Sequence, residues 1–209
     1  MLEGIKVLCH SSIVFNKDKT IYIDPFEIDD CYNDADIIMI THSHYDHYSK
    51  KDIQKVVKEN TVIIIPNDLL TEVLQSGFKK DNVITVEPNK EYNIYSLKFK
   101  TIPAYNVNKK FHPKENNWIG YILEINGTHY YIAGDTDITE ENKKVKCDVA
   151  FVPVGGTYTM NYKEAANLVN IIKPKIAVPI HYGKIVGTKE DATDFKELLN
   201  KDIVCQIMI

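Results

Sequence analysis

The sequence predicts an α/β fold of four layers, helix–sheet–sheet–helix, and three observations predict it. Short apolar runs alternate with helical stretches between residues 37 and 87, which argues for helices laid on one side of a sheet. Between residues 92 and 133 the chain reads as strand over 92–104, 118–125 and 129–133 with little helix signal, and Asn126-Gly127 is a strong hairpin signal. Strand and helix then alternate again to the C-terminus. The two halves share this loose rhythm without an internal repeat or a low-complexity linker.

Taken in order, Ile5 to Cys9 and Ser12 to Phe15 read as an opening hairpin, and Asn16 to Lys19 as a turn. Thr20 to Ile23 is the next strand, ended by Asp24-Pro25, because proline cannot extend the pairing. Ile37 to Ile40 is a continuous apolar run, the pattern of a strand buried on both faces. A helix is expected over 50–59, a strand over 62–66, a helix over 68–75 with Gly77 just past its end, and a strand over 83–86. One long strand is expected over 92–104, then the hairpin 118–125 and 129–133. A buried strand over 147–154 ends in Gly155-Gly156. A helix over 162–172 has Asn161 as its N-cap and Glu164 in its first turn, and Pro174 stops it. Ala166, Val169 and Asn170 lie on the packed face of that helix. A strand over 175–180, a helix over 191–199 and a strand over 204–208 complete the chain.

Bulk composition narrows the function classes. The chain has 209 residues, a net charge of −4 and 26% charged residues, ordinary values for a soluble globular protein. All 25 basic residues are lysine. The absence of arginine argues against nucleic acid as a partner, since bidentate guanine and phosphate contacts favour the guanidinium fork. Cys9, Cys31, Cys147 and Cys205 form no C-x-x-C pair and suggest reduced thiols in the cytoplasm. No secretory signal or membrane span is expected. Oligomeric state is not legible.

The chemistry concentrates in Thr41-His42-Ser43-His44-Tyr45-Asp46-His47-Tyr48, a loop between the strand at 37–40 and the helix beginning near Lys50. Three of the seven histidines fall within these positions. Imidazole and carboxylate are ligands for zinc, manganese or iron. His42 and His44 are two apart, so an extended backbone points both to one side. Asp46 and His47 follow a bend and face a second point. One ion on the first pair and another on the second is the simplest reading. The plain alternative is a surface cluster ahead of a helix capped by Ser49; the buried strand and the spacing favour metal.

His-x-His-x-Asp-His after an apolar strand resembles the signature of the metallo-β-lactamase fold superfamily of metal-dependent hydrolases. The resemblance extends to Tyr22-Ile23-Asp24-Pro25-Phe26, His10-Ser11-Ser12, Gly134-Asp135-Thr136-Asp137 and His181-Tyr182-Gly183. It implies a single αββα domain over residues 1–209. It implies one or two divalent ions, with His42 and His44 on the first, Asp46, His47 and His181 on the second, and Asp135 bridging. A bound dication lowers the pKa of water from about 15.7 to about 7, which supplies hydroxide at neutral pH. Asp46 would also aim that nucleophile. Asp24 would support the histidine loop, or serve only as a turn former; His10 would enter the pocket, or be structural.

One departure stands out. Members of the superfamily supply a further histidine to the first metal, and here Asn106 stands at that place in Pro103-Ala104-Tyr105-Asn106. An amide oxygen is a weaker zinc ligand, so the first site is expected to be labile or to suit manganese. His112 is the substitute, although a loop histidine beside lysines is the preferred reading of it; His129, just past a turn, reads as exposed or packing. Residues 106–113, 118–121, 134–137 and 153–160 resemble a branch similar to ascorbate-6-phosphate lactonase and N-acyl-phosphatidylethanolamine phospholipase D relatives. Gly155 and Gly156 offer either backbone amides to an anionic group or a tight turn. Tyr105, Tyr158 and Trp118 line a pocket or pack a core. The expected activity is hydrolysis of an ester, lactone or phosphodiester bond in a small molecule, an anionic one among the options. The alternatives are a metal-binding or sensory protein without turnover, and a phosphodiesterase or nuclease; a flavo-di-iron protein lacks room for its flavin domain.

Overall fold

A computed structural model describes residues 1–209. The chain forms two compact units, Leu2–Glu87 with Ile209, and Pro88–Met208 with Met1.

The first unit is built on a six-stranded sheet: β1 (Ile5–Cys9), β2 (Ser12–Asn16), β3 (Thr20–Ile23), β4 (Ala35–Met39), β5 (Val57–Pro66) and β6 (Val83–Val86), in that spatial order. β1, β2 and β3 are antiparallel; β3 through β6 are parallel. Period two sends Ile38, Ile40, Ile63 and Ile65 to one face of the sheet. There they join Tyr48, Ile53 and Val56, on and beside α1 (Lys50–Val56), and Val73 of α2 (Leu70–Gln75). Ile37, Met39 and Ile64, on the other face, are equally buried. Burial on both faces explains why β4 reads as an unbroken apolar run.

Two boundaries differ from expectation. Ser49 caps α1, its Oγ accepting the Asp52 N–H. The helix then ends at Val56 instead of 59, because Val57 pairs with Ala35. The Thr61 hydroxyl receives the Lys58 N–H at 2.8 Å and donates to the Ala35 carbonyl at 2.7 Å. The helix propensity of Lys58 and Glu59 yields to this sheet pairing. The turn before α2 is a 3₁₀ turn, Asn67–Leu69.

The second unit carries a seven-stranded sheet of spatial order β13-β12-β11-β10-β9-β8-β7. Its strands are β7 (Glu91–Ile94), β8 (Leu97–Pro103), β9 (Ile119–Ile125), β10 (Thr128–Ile132), β11 (Val149–Pro153), β12 (Ile176–Ile180) and β13 (Val204–Cys205). The single strand expected over 92–104 is in fact the hairpin β7–β8. Its turn is Tyr95-Ser96, with φ of 49° and 68°. Asn126-Gly127 turns β9 into β10 with the same sign of φ, 50° and 72°. Only the second turn carries the Asn-Gly chemistry that signals such a conformation, so only the second was legible.

α3 (Tyr162–Ile172) starts with a capping box between Asn161 and Glu164. Ala165, Ala166, Leu168, Val169 and Ile172 form its buried stripe. Asn170 bridges to the end of α4 (Lys189–Glu197), donating to the Leu198 carbonyl and accepting the Asn200 N–H. α4 begins two residues before the expected 191, because Asp191 is not its first residue but the group that accepts the Thr188 N–H at 2.7 Å. β13 stops at Cys205 instead of 208. Val204 and Gln206 donate to the Lys175 and Ala177 carbonyls. By alternation the next donor on that side of β12 would be residue 179, and Pro179 has no N–H.

Candidate metal centre

In the first unit the chemistry sits at the C-terminal ends of two adjacent parallel strands. The register Ile23↔Met39 sets Asp24 beside the segment leaving β4, and the Asp24 N–H donates to the Met39 carbonyl. The Asp24 carboxylate then accepts three hydrogen bonds, from the Thr41 N–H at 2.8 Å, the Thr41 hydroxyl at 2.6 Å and His47 Nδ1 at 2.7 Å. Burial pushes its pKa up, and His47 and Thr41 pull it back. Asp24 thus ties together Thr41 and His47, which flank the histidine loop.

This network assigns two imidazole tautomers. His47 Nδ1 faces a carboxylate oxygen, so it carries the proton and Nε2 bears the lone pair. The Thr41 hydroxyl gives its hydrogen to Asp24, so its oxygen accepts from His42 Nδ1 at 3.0 Å, and His42 Nε2 also bears a lone pair. Thr41 was not singled out in the sequence; its place directly before His42 and after a buried strand is the signal that could have found it. His42 Nε2 lies 3.1 Å from His44 Nδ1. Asp46 Oδ2 lies 3.6 Å from His47 Nε2 and 3.3 Å from His10 Nε2. His10 is buried, has a φ of 55°, and packs edge-on to Phe26 and His47.

In the second unit the corresponding ends belong to β8, β10, β11 and β12. Gly134, at φ 66°, turns the chain after β10 and presents Asp135. His181 follows β12 at φ 58°. His181 Nε2 and His112 Nε2 lie 3.1 and 3.2 Å from Asp135 Oδ2. His112 does sit in a loop beside lysines, but its side chain is turned inward to Asp135 and not out to solvent. It is buried and stands edge-on to Trp118, which is buried as well.

Asn106, expected in the ligand's place, spends its amide elsewhere. Its Oδ1 accepts the His112 N–H at 3.0 Å, and its Nδ2 donates to the Tyr158 carbonyl at 2.9 Å. Asp137, which the sequence reading left without a role, holds this loop by accepting the Val107 N–H at 2.9 Å and pairing with Lys109.

Pocket expectations change at Tyr105 and Gly156. The Tyr105 hydroxyl donates to Glu141 at 2.9 Å and has Lys114 over its ring, which places it in a surface ion-pair cluster. Tyr158 is half-buried and stacks edge-on with the exposed Phe111. The Gly156 N–H donates to the Met160 carbonyl, so it is not offered to an anion. Gly155 answers a steric need, since a Cβ there would lie 2.3 Å from the His181 carbonyl oxygen. Gly155→Ala is expected to cost about 1–3 kcal/mol or more through overpacking and to displace His181. Thermal unfolding and metal titration of the variant check this; unchanged values for both would refute it. His129 is half-exposed beside Asp148.

The donor atoms fit a divalent cation. Ligands about 2.0–2.1 Å from a tetrahedral ion stand about 3.3–3.4 Å from one another, and the spacings above run from 3.1 to 3.6 Å. His47 Nε2, left with its lone pair by the Nδ1 bond to Asp24, faces the Asp46 carboxylate at 3.6 Å, a pairing that a cation between them would satisfy. A thiolate nucleophile is not on offer at Cys147 or Cys205, whose pKa values burial pushes up to about 12 and about 11.

Fold and donor groups together define a class, the metal-dependent hydrolases of the metallo-β-lactamase fold. Residues 4–181 match the family described as the β-lactamase superfamily domain, and the chain belongs to it. A UPF0173 metal-dependent hydrolase of Lysinibacillus sphaericus is 31% identical over 201 residues, 89% of this chain and 87% of the relative. A crystal structure described as a metal-dependent hydrolase from Parabacteroides distasonis superposes with a TM-score of 0.83 at 32% identity, covering 98% of this chain and 91% of that one. Igni18, a metallo hydrolase of Ignicoccus hospitalis, shares the fold, with a TM-score of 0.77 at 22% identity over 98% and 94% of the two chains. This protein is accordingly a metal-dependent hydrolase of the same superfamily.

Proposed function

We propose that this hydrolase cleaves an ester, lactone or phosphodiester bond in a small molecule, using one or two divalent ions. Zinc and manganese suit the donors best, with iron as the third candidate. The observation that carries the reading is the set of imidazole nitrogens and carboxylate oxygens facing one another at 3.1–3.6 Å, with the His42 and His47 tautomers set by Asp24 and Thr41. His42, His44 and His112 are assigned to the first ion, Asp46, His47 and His181 to the second, and Asp135 to both. Taking His112 in place of Asn106 gives the first ion three imidazoles, which removes the reason to suspect a site too weak for turnover. Both units belong to one hydrolase domain in this reading, supported by a family match that runs past residue 87 to residue 181.

Divalent ions held by these residues would supply Lewis acidity and make hydroxide available near neutral pH. The chain's own residues do the rest. Asp46 accepts a hydrogen bond from the attacking water and turns its lone pair toward the scissile carbon or phosphorus. His10 stands against Asp46 Oδ2 at 3.3 Å and keeps that carboxylate in place. Asp24 and Thr41 hold His47 and His42 with Nε2 unprotonated, the form that binds metal. The lack of arginine favours a small-molecule substrate over RNA. The cytoplasm is the proposed compartment, supported by four cysteines outside any disulfide. No helix is long and apolar enough to cross a membrane.

The test is a panel of ester, lactone and phosphodiester substrates assayed before chelation, after it, and after return of zinc or manganese. Turnover of at least one class, lost on chelation and restored by metal, is the expected result. Undiminished turnover after complete metal removal, or metal binding without turnover of any class, would sink the proposal.

A further inference from the structure

Asn106 occupies the place where a ligand was expected, and the hydrogen bonds around it give it another task. Its amide orientation is determined by its neighbours. The His112 backbone N–H, 3.0 Å away, is a donor and requires the oxygen. The Tyr158 carbonyl, 2.9 Å away on the other side, is an acceptor and requires the nitrogen. Reversing the amide would set donor against donor and acceptor against acceptor. The oxygen so placed also lies 3.2 Å from His112 Nδ1. An amide oxygen only accepts, so Nδ1 must carry the imidazole proton. When a metal takes the ring in its neutral form, the lone pair is on Nε2, the atom 3.2 Å from Asp135 Oδ2. The Asn106 N–H closes the loop on the His112 carbonyl at 2.8 Å.

We infer that Asn106 is the positioning residue for His112: it sets the imidazole tautomer that presents Nε2 to the metal, and it ties the His112 loop to the Tyr158 turn. The inference rests on the proposed function in taking His112 as a ligand. Asn106 stands to His112 as Asp24 stands to His47, with a neutral acceptor in place of a charged one. A neutral acceptor raises the ligand's basicity less than a carboxylate does, and it adds no charge beside Asp135.

The experiment compares wild type with Asn106→Ala, Asn106→Asp and His112→Ala. Zinc alone is titrated against a chelating dye, and long-range ¹H–¹⁵N NMR of the metal-free proteins reads each imidazole tautomer. In wild type, His112 is expected as the Nδ1–H form. Asn106→Ala should lose that preference and weaken zinc binding at one site by about 10–100-fold, the usual effect of removing a partner of a ligand. Asn106→Asp keeps an acceptor for both His112 groups and should retain the tautomer with zinc affinity within about threefold, while losing the bond to Tyr158. That rescue separates positioning from a general loss of folding. A wild-type tautomer and affinity in Asn106→Ala would overturn the inference, as would an Asn106→Asp variant as impaired as the alanine. Unchanged zinc binding in His112→Ala would instead refute His112 as a ligand, while the NMR arm still decides what Asn106 does to the ring.

Discussion

Asp135→Ala is expected to abolish hydrolysis and to remove most of the bound metal. Asp135 Oδ2 has His181 Nε2 at 3.1 Å and His112 Nε2 at 3.2 Å, and it is the only carboxylate placed between these two imidazoles. Without it, the first ion would be left to neutral imidazoles alone and the second would keep Asp46 as its one anion. The loss should exceed the 10–100-fold typical of removing a supporting residue, because a ligand is removed and not merely its partner. The fold should survive, since Asp135 lies in a turn after β10 and anchors no strand pairing. Metal analysis of the purified variant, beside its circular dichroism, checks both parts. A folded variant with full metal content would contradict the ligand assignment.

The second large effect is expected at Asp24. Alanine there leaves the Thr41 N–H, the Thr41 hydroxyl and His47 Nδ1 without their common acceptor. Each buried donor so orphaned costs about 1–3 kcal/mol, and alanine at a φ of 45° adds about 1–2 kcal/mol of left-handed strain. Much of the stability of a domain of this size would be lost. The Asp24→Asn variant separates this structural part from the chemical one. Asparagine tolerates the same φ and can keep the Thr41 N–H bonded through its oxygen, so thermal unfolding should fall much less. Its amide nitrogen would then face His47 Nδ1, favouring the opposite tautomer and weakening metal binding by about 10–100-fold. Zinc titration and unfolding of both variants test the pair. An asparagine variant that binds zinc as wild type does would show that Asp24 does not act through the His47 tautomer.

Much of the site was legible because its residues lie where buried strands end. Ile37–Ile40 announced β4 and therefore the position of His42, His44, Asp46 and His47. Asn126-Gly127 and the apolar residues after it placed β10 and hence Asp135; Pro174 and the run after it placed β12 and hence His181. Elements were misread where pairing partners overrode local preference. α1 gives up Lys58 and Glu59 to β5, β13 stops where Pro179 lacks an N–H, and the β7–β8 turn uses Tyr95-Ser96 in a conformation neither residue advertises. The Asn106–His112 exchange was unreadable for a related reason. Both residues sit in one irregular loop, and nothing in spacing says which side chain faces Asp135 and which bonds its neighbour.

By itself, the amino-acid order determined the sequence of strands and helices, the chemistry of the donors and the turns that carry them, because periodicity and turn composition are local properties of the chain. Tertiary structure alone decided which nitrogen of each histidine holds its proton, and whether Asn106 or His112 looks toward the carboxylate. Those choices belong to hydrogen bonds between Asp24, Thr41 and His47, and between Asn106, His112 and Tyr158, groups that become neighbours only when the strand ends are brought side by side.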